Sequence, residues 1–343
     1  MGKEFIVPSE DQPADDLQLA DQLKADYQRA TEEIGKVIVG QDEVVDRILL
    51  TLLVGGNSLL MGVPGLAKTL LIQTVADTLD LDFTRIQFTP DLMPSDITGT
   101  DLVQEDADSG RRQLVFSRGP VFANIVLADE VNRTPPKTQS ALLEAMQERR
   151  VTVQGTTYDL PKPFFVFATQ NPIELEGTYP LPEAQLDRFT FEIVMDYLPA
   201  EDELRVIQQT TGDSQGKPEK IITGPRLLEY QSLVRRVPLA EPVARYALDI
   251  VRASRPNTPS ASEFVSKWLA YGASVRAAQF LVLGAKARAL TQGRAHVGYE
   301  DIRALAKPVL RHRLLRNFQA ESEGVSVEDI INHLIEAVSV PRA

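Results

Sequence analysis

Cysteine is absent from this chain of 343 residues, and histidine is nearly absent, with His296, His312 and His333 as its three members. The lack of cysteine excludes disulfide bonds, zinc sites built on thiolates and a catalytic thiol. Because the histidines are scattered through the C-terminal part, a histidine metal cluster is not expected. We interpret them as residues of the surface or of a C-terminal lid.

Long apolar runs are also lacking. No run approaches the roughly 18 residues that a helix needs to span a bilayer, and the longest candidate, Ile48–Val54, ends at Gly55. The acidic segment from Met1 to Asp16 has no apolar centre of the kind that signal peptides carry. These features predict a soluble, cytoplasmic protein that is not inserted in a membrane.

Positive charge is in the minority, because the formal net charge is −12. So acidic a chain is not expected to adhere broadly to nucleic acid or to an anionic membrane. Local basic clusters remain, at Arg111, Arg112 and Arg118, at Arg149 and Arg150, and at Arg311, His312, Arg313 and Arg316. We interpret the first two as solvated faces or as ion pairs between subunits, with an acidic client segment or a nucleic-acid strand as the alternative. The last cluster is interpreted as cations at a helix C-terminus.

The fold class predicted from the pattern is α/β, followed by a helical domain. The chain has 43% apolar residues, which suffices for a large core and suggests two domains. Residues 1–16 are predicted to be a disordered acidic tail, and residues 17–198 alternate short apolar strands with helices, which predicts a parallel sheet covered on both faces. The predicted strands are Leu59–Met61, Phe83–Phe88, Ile125–Ala128, Phe164–Ala168 and Phe191–Met195, and the predicted helices include 69–79 and 137–149.

Two segments interrupt this alternation. Residues 98–118 contain two short apolar stretches that can pair around Asp108-Ser109-Gly110, and residues 149–161 alternate around Gly155 in the manner of a hairpin. Both are predicted to be β-hairpin insertions. After Pro199 the strand signals vanish, so that residues 199–343 are predicted to form an all-helical lid, broken at Gly212–Gly216, Pro238, Pro256–Pro259 and Gly293.

The most informative motif lies between the first predicted strand and the helix that follows it. It reads Gly62-Val63-Pro64-Gly65-Leu66-Ala67-Lys68-Thr69, and Leu70 continues the helical pattern. A strand, a glycine-bearing turn, Lys-Thr and a helix form a phosphate-binding loop, in which backbone N–H groups face the anion. Lys68 is placed to reach the outer phosphates, and the Thr69 hydroxyl to bind Mg²⁺.

Two further strands end in residues that suit phosphoryl chemistry. The strand Ile125–Ala128 runs into Asp129 and Glu130, which can hold Mg²⁺ through water and polarise the attacking water, respectively. Asn171 follows the next strand and is expected near Glu130, because neighbouring parallel strands end at the same edge. Without the phosphate loop, two acids entering a loop and a turn-forming Asn-Pro would be the simpler interpretations.

Two arginines are candidates for stabilising the charge that develops during phosphoryl transfer. Arg188 ends the string Leu186-Asp187-Arg188, and Arg276 begins a long helix of the second domain, which could close over the nucleotide. A lone arginine is usually a solvated residue, so that neither one carries the argument by itself.

The order of these motifs resembles that of the AAA+ ATPases, and of the MoxR family in particular. The resemblance spans about residues 35–315 and rests on Gly62–Thr69, Asp129-Glu130-Val131-Asn132-Arg133, Ala168–Pro172, Leu181–Phe189 and Gly272–Arg276. It implies an ATPase core with a P-loop parallel sheet, a helical lid, and a homo-oligomeric ring that is typically a hexamer. It also implies a protein client, with proteins that carry a von Willebrand factor A domain as candidates.

The resemblance assigns roles to individual residues, with ATP and Mg²⁺ as cofactors. It makes Lys68 the phosphate ligand, Thr69 and Asp129 the magnesium ligands and Glu130 the catalytic base. Asn171 becomes the first sensor, Arg188 a finger that acts on the neighbouring subunit, and Arg276 the second sensor. Val39-Gly40-Gln41 matches the segment that lines the adenine pocket. The expected nucleotide-binding residues are Val39, Gly40, Gly62, Val63, Pro64, Gly65, Leu66, Ala67, Lys68, Thr69 and Leu70.

Ala67 departs from the strict motif, which has glycine there. Alanine fits without strain if the backbone φ at this position is negative. The alanine form is similar to a variant that the family accepts, so we expect nucleotide binding to survive.

Three functions are compatible with these motifs. The leading one is an ATP-hydrolysing, chaperone-like remodeller of a protein partner. The second is a nucleic-acid motor, which the acidity disfavours and for which Phe116 and Tyr158 alone offer stacking surfaces near the basic clusters. The third is a nucleotide-gated scaffold with little turnover, which the complete set of Asp129, Glu130, Asn171 and Arg188 disfavours.

Overall fold

The computed structural model describes residues 12–105, 112–173, 177–211 and 216–340. Its first part alternates helices and strands as the sequence predicts. The elements are α1 (Gln12–Gly35), α2 (Asp42–Val54), β1 (Ser58–Met61), α3 (Lys68–Thr78), β2 (Phe83–Gln87), α4 (Pro94–Thr98), β3 (Gly99–Glu105), β4 (Arg112–Arg118), β5 (Ile125–Asp129), α5 (Pro136–Glu148), β6 (Arg150–Val153), β7 (Thr156–Asp159), β8 (Phe165–Gln170), α6 (Glu183–Leu186) and β9 (Phe191–Val194).

Five of these strands form one parallel sheet in the order β2-β5-β8-β1-β9. They are the five strands predicted from the sequence, with ends that differ by one or two residues. Because the strands are parallel, the segments that follow β1, β5 and β8 all leave the sheet at its carboxyl edge, where ligands of such folds bind.

The side chains of the sheet alternate between two apolar cores, as a strand periodicity of two requires. Leu60, Leu127 and Phe167 belong to the larger core, whereas Leu59, Val126 and Val166 belong to the smaller one. The sheet is therefore buried on both faces, and the predicted α/β fold is confirmed.

Both predicted interruptions are antiparallel hairpins. Strand β3 pairs with β4 from Gly99↔Arg118 to Glu105↔Arg112, and β6 pairs with β7 around Gln154 and Gly155. Both turn residues of the second hairpin have positive φ, the backbone of a two-residue hairpin turn. The turn predicted at Asp108-Ser109-Gly110 and Arg111 lie outside the described residues.

The C-terminal part is helical apart from one short ladder. It contains α7 (Ala200–Thr210), α8 (Gly224–Arg236), α9 (Glu241–Ala253), α10 (Glu263–Trp268), β10 (Leu269–Tyr271), α11 (Val275–Thr291), α12 (Tyr299–Leu310), β11 (Leu315–Arg316), α13 (Phe318–Ser322) and α14 (Val327–Ala337). Strands β10 and β11 pair antiparallel, so the prediction of an all-helical lid missed this small sheet. Strands of two and three residues are too short to leave a readable alternation in the sequence.

The helical part shares its core with the sheet. Leu49 of α2, Phe191 of β9, Tyr246 of α9 and Leu305 of α12 belong to one continuous buried cluster. The lid is therefore fastened to the α/β part by apolar packing as well as by the polar contacts described below.

The N-terminal boundary differs from the prediction. Helix α1 begins at Gln12, inside the span 1–16 that the sequence assigns to a tail, and Asp16 forms an ion pair of 2.7 Å with Arg236 of α8. Residues 1–11 lie outside the described residues, as does the part of the predicted Gly212–Gly216 break up to residue 215. Among the described residues, no helix has the length and apolar character needed to cross a membrane.

Candidate functional site

The phosphate loop and the ends of β5 and β8 surround one cavity of about 440 Å³ at the carboxyl edge of the sheet. Its lining brings together residues that are far apart in the sequence: Val63, Pro64, Gly65, Leu66, Ala67, Lys68, Thr69, Leu70, Arg85, Asp129, Glu130, Thr169 and Asn171. The cavity thus unites most of the predicted nucleotide-binding residues with the predicted magnesium ligand, base and first sensor.

The backbone of the loop explains why glycine is needed at two of its positions. Gly62 packs so closely that a Cβ atom would lie 2.8 Å from the carbonyl oxygen of Met195. Gly65 has a φ of 87°, and no other heavy atom lies within 4 Å of where its Cβ would be. Gly62 is required by close packing and Gly65 by its left-handed backbone.

Ala67 also has a left-handed backbone, with φ 56° and ψ 27°. The negative φ considered from the sequence is therefore wrong, and alanine does not fit here without strain. A left-handed non-glycine residue costs about 1–2 kcal/mol relative to its right-handed form. Helix α3 begins directly after Ala67, so this strain lies at the end of the loop that faces the cavity.

Lys68 is half-buried at the start of α3, and its ammonium group donates to the carbonyl oxygen of Gly62. Burial lowers the pKa of Lys68, and the nearby Asp129 and Glu130 carboxylates offset part of that effect. An anion bound in the cavity would pair with the Lys68 ammonium group more fully than the nearby Asp129 and Glu130 carboxylates do.

Asp129 and Glu130 are joined by the hydroxyl group of Thr169 on β8. This hydroxyl donates to Asp129 Oδ1 at 2.6 Å and accepts the backbone N–H of Glu130 at 2.8 Å. Glu130 has a φ of 57°, so the residue predicted to be the base is held in a backbone conformation that is rare outside glycine. Such strain is typical of functional positions.

Three polar residues that the sequence analysis did not single out hold the two acids. The Arg85 guanidinium donates to Asp129 Oδ2 from Nε at 3.0 Å and from Nη2 at 2.6 Å. Gln87 Nε2 and Arg133 Nη1 each donate to Glu130 Oε2 at 2.9 Å. A signal for the first two was present, because Arg85 and Gln87 lie two positions apart and therefore on one face of β2.

Asn171 follows β8 and is buried, as its predicted role requires. Its side-chain oxygen accepts the backbone N–H of Ile173 at 3.1 Å. This contact fixes the orientation of the amide, which leaves its NH₂ group as the donor that can serve a ligand in the cavity.

The two predicted arginines are linked through Asp187, which precedes Arg188 in the chain and pairs with Arg276. Neither Arg188 nor Arg276 is among the described residues that line the loop cavity. Arg276 Nη1 instead donates to Asp187 Oδ2 at 3.0 Å, and Asp187 also accepts the Ser274 hydroxyl. Within the described part of the chain, the side chain of Arg188 forms no hydrogen bond or ion pair.

Arg313 completes this arrangement from the lid side. Its side chain is 1% exposed, and it donates to Asp187 Oδ1 and to the Asp187 carbonyl oxygen, both at 2.9 Å. Burial lowers the pKa of Arg313 to about 10, and the Asp187 carboxylate offsets part of that effect. His312 is also buried and lies 3.1 Å from the Phe189 carbonyl oxygen. These two residues follow the C-terminus of α12, as predicted, but they are buried and clamp the segment that carries Arg188.

A second cavity, of about 340 Å³, contains part of the segment matched to an adenine pocket. It is lined by Gly40 and Gln41, by the end of β9 with Glu192, and by Lys307 and Arg311 near the end of α12. Val39 is buried and is not among the described residues that line it. Burial raises the pKa of Glu192 to about 7, Glu328 adds to that shift, and Arg311 and Arg313 oppose it.

The remaining basic residues of the hairpins have partners within the chain. Arg112 pairs with Glu105 at 3.7 Å and Arg150 with Glu148 at 3.2 Å. Arg149 donates to the Gly55 carbonyl oxygen at 3.1 Å. Arg112 and Arg150 thus have ion-pair partners in their own chain, and ion pairs between subunits remain a prediction.

Comparison with known proteins places the fold and the site in a family. The family model described as the ATPase family associated with various cellular activities (AAA) matches residues 57–191, and the AAA lid domain matches residues 262–334. The lid match falls inside the predicted lid span 199–343.

Relatives along nearly the whole chain are also found. The chaperone MoxR1 of Mycobacterium tuberculosis is 43% identical over 92% of this chain and 82% of its own length. The protein MoxR of Methylorubrum extorquens is 30% identical over 91% of this chain and 94% of its own length. A crystal structure of an ATPase candidate from Cytophaga hutchinsonii superposes with a TM-score of 0.89 and 43% identity, covering 97% of this chain and all of that one.

Proposed function

Because the chain belongs to the MoxR family of AAA+ ATPases, we propose that it binds Mg-ATP in the loop cavity and hydrolyses it to remodel a protein partner. The observation that carries this proposal is the meeting of Lys68, Asp129, Glu130 and Asn171 around one cavity. A cation, two carboxylates and an amide at the end of a phosphate loop form the set that phosphoryl transfer to water needs.

The residues of the cavity fit the nucleotide and its metal. The loop presents its backbone and Lys68 to the phosphates, and the Thr69 hydroxyl and Asp129 carboxylate are the hard oxygen ligands that Mg²⁺ prefers. When bound, Mg²⁺ supplies a Lewis acid that neutralises charge on the phosphates. Glu130 takes the proton of the attacking water, and the Asn171 amide orients that water or the terminal phosphate.

Arg188 is proposed to act on the nucleotide of a neighbouring subunit. It lies outside its own loop cavity, and its side chain has no partner among the described residues. A second copy of the chain, placed with its loop against Arg188, would use this guanidinium to stabilise the charge of the transition state. This geometry supports a ring, for which we propose six subunits.

A protein is proposed as the client in preference to nucleic acid. At the hairpin of β3 and β4, Val103 and Leu114 are each 66% exposed, which offers apolar surface to a polypeptide. The aromatic rings that could have stacked on bases face one another instead, since Phe116 and Tyr158 stack at 4.0 Å between ring centroids. By family likeness, we propose a protein with a von Willebrand factor A domain as the client.

Turnover of saturating Mg-ATP by the assembled protein tests the first half of this proposal. We expect Glu130→Gln to reduce turnover at least about 100-fold while nucleotide binding is kept, and Lys68→Ala to lose binding. If the wild type binds ATP without turning it over, and Glu130→Gln changes nothing, the protein is a nucleotide-gated scaffold.

The client half needs a separate experiment. Glu130→Gln with ATP should hold the client-bound state, so that a pull-down with this variant enriches a polypeptide that Lys68→Ala does not retain. DNA-stimulated turnover together with salt-dependent DNA binding would instead support a nucleic-acid motor.

A further inference from the structure

The Asp129 carboxylate already forms an ion pair with a cationic side chain of its own chain, that of Arg85. Arg85 reaches from β2 to Asp129 on the neighbouring strand and places two donors, at 3.0 and 2.6 Å, on Oδ2. The other oxygen, Oδ1, accepts the Thr169 hydroxyl at 2.6 Å. Both oxygens of the proposed magnesium ligand are therefore engaged by the protein itself.

The same guanidinium is linked to the proposed base. Arg85 Nη2 donates to the side-chain oxygen of Gln87, and Gln87 Nε2 donates to Glu130 Oε2 at 2.9 Å. The Gln87 amide is thus oriented by Arg85 at one end and holds Glu130 at the other. One arginine fixes Asp129 directly and Glu130 through one intermediate.

Two properties of Arg85 allow it to change partners. Its side chain is 45% exposed, in contrast to the 1% of the clamp residue Arg313. It also lines the loop cavity, so that phosphate oxygens bound there would be the nearest alternative anions. The Arg85 side of the pair is therefore open to solvent, whereas the Asp129 side chain is only 15% exposed, and a divalent cation would compete with the guanidinium for this carboxylate.

Electrostatic repulsion opposes the simultaneous binding of Arg85 and Mg²⁺ to Asp129. A magnesium ion that approaches Asp129, even through a water molecule, would lie within a few ångströms of the guanidinium, and the two charges repel. The two guanidinium donors already occupy Oδ2, so that the water shell of a metal would compete with them at this oxygen.

We propose that Arg85 is a positioning residue that competes with Mg²⁺ for Asp129. Before loading, it holds both acids in place. With Asp129 serving a metal, the Arg85 guanidinium would be free to turn toward phosphate oxygens in the cavity, whereas Glu130 would keep its contact with Arg133. The inference rests on the proposed function, because it assumes that Asp129 serves the metal of the nucleotide.

The competition between Arg85 and Mg²⁺ for Asp129 is tested by measuring metal binding under conditions in which no ATP is hydrolysed. Binding of a fluorescent ADP analogue is followed as Mg²⁺ is titrated, for wild type, Arg85→Gln and Arg85→Lys. Removal of the charge in Arg85→Gln should lower the Mg²⁺ concentration at half-saturation about fivefold or more, whereas Arg85→Lys, which keeps the charge, should stay nearer to wild type. Arg150→Ala, which removes an arginine of a similarly exposed ion pair on a hairpin, should not change the midpoint.

A second arm omits the nucleotide. Mn²⁺ binding to the nucleotide-free protein, measured by electron paramagnetic resonance, should tighten in Arg85→Gln, and the gain should vanish in the double variant Arg85→Gln/Asp129→Asn. If the nucleotide fails to bind to wild type while the Mn²⁺ effect is present, the proposed function falls and the competition stands. Unchanged or weaker metal binding of folded Arg85→Gln in this arm overturns the competition.

Discussion

The guanidinium of Arg276 lies 3.0 Å from the carboxylate of Asp187, the residue directly before Arg188. Arg276 starts α11 of the lid, whereas Arg188 follows α6 of the α/β part, so that this ion pair joins the two predicted catalytic arginines across the lid boundary. Neither arginine lines the loop cavity of its own chain within the described residues. Arg276 is thus tied to the segment that carries Arg188, and both arginines lie outside the loop cavity of their own chain.

Mixing of variant subunits tests whether Arg276 acts on the nucleotide of its own subunit or on that of a neighbouring subunit. If it serves the neighbour, Arg276→Ala and Lys68→Ala subunits complement each other, because a Lys68→Ala subunit supplies Arg276 to a neighbour whose loop is intact. Turnover of the mixture should then exceed that of either pure variant, as it should for Arg188→Ala with Lys68→Ala. A second sensor that serves its own subunit would give no restoration.

The control for this mixture is a pair of variants that damage the same cavity. Lys68 and Glu130 line one cavity of one chain, so that mixed Lys68→Ala and Glu130→Gln subunits each retain a defective site. We expect no restoration there. Restoration in this control would mean that subunit mixing raises turnover for a reason other than sharing of residues.

Asp187 should matter more for stability than its exposed partner does. Replacement of Asp187 by alanine leaves the buried guanidinium of Arg313 without its carboxylate, which we expect to lower the free energy of unfolding by about 3 kcal/mol. Arg276→Ala removes a pair whose arginine side chain is 41% exposed, and it should cost less than about 1 kcal/mol. Urea unfolding of both variants measures the difference, and equal losses would contradict the role assigned to Arg313.

Ala67→Gly should stabilise the protein. Glycine removes the cost of a left-handed alanine, about 1–2 kcal/mol, and returns about 0.5–1 kcal/mol through the larger freedom of the unfolded chain. The net gain is expected to be at most about 1.5 kcal/mol in the free energy of unfolding, with nucleotide binding kept. Ala141→Gly in the interior of α5 is the matched control, and it should lose about 1 kcal/mol because its backbone is helical.

The case of Ala67 also shows where prediction from the sequence stops. The residues of the loop predict a phosphate-binding turn, and the apolar runs predict the five strands. Whether Ala67 is strained, however, depends on the φ angle that the loop adopts in the folded protein.

Arg85 illustrates a second limit, because its partner Asp129 is 44 positions away and is reached only when β2 pairs with β5. Arg313 illustrates a third limit, since the sequence predicts cations at a helix C-terminus but does not show that tertiary packing buries one of them.

Glu192 should make the stability of the protein depend on pH in the neutral range. Burial raises its pKa from 4.5 to about 7, with Glu328 adding to the shift and Arg311 and Arg313 opposing it. Below pH 4.5 both folded and unfolded states hold the proton, so that the group has no effect. Between pH 4.5 and 7 only the folded state holds it, and the free energy of unfolding falls as pH rises, by up to about 3 kcal/mol once pH 7 is passed.

Glu192→Gln tests this dependence, because glutamine resembles the protonated acid and does not titrate. The variant should match wild type near pH 4.5 and exceed it in unfolding free energy at pH 8, as measured by urea unfolding across that range. Glu144→Gln, at an exposed position of α5, should follow the wild-type curve. Parallel curves for wild type and Glu192→Gln would show that Glu192 ionises in the folded state as easily as in the unfolded chain, and that its place beside Gly40 at the second cavity is solvated.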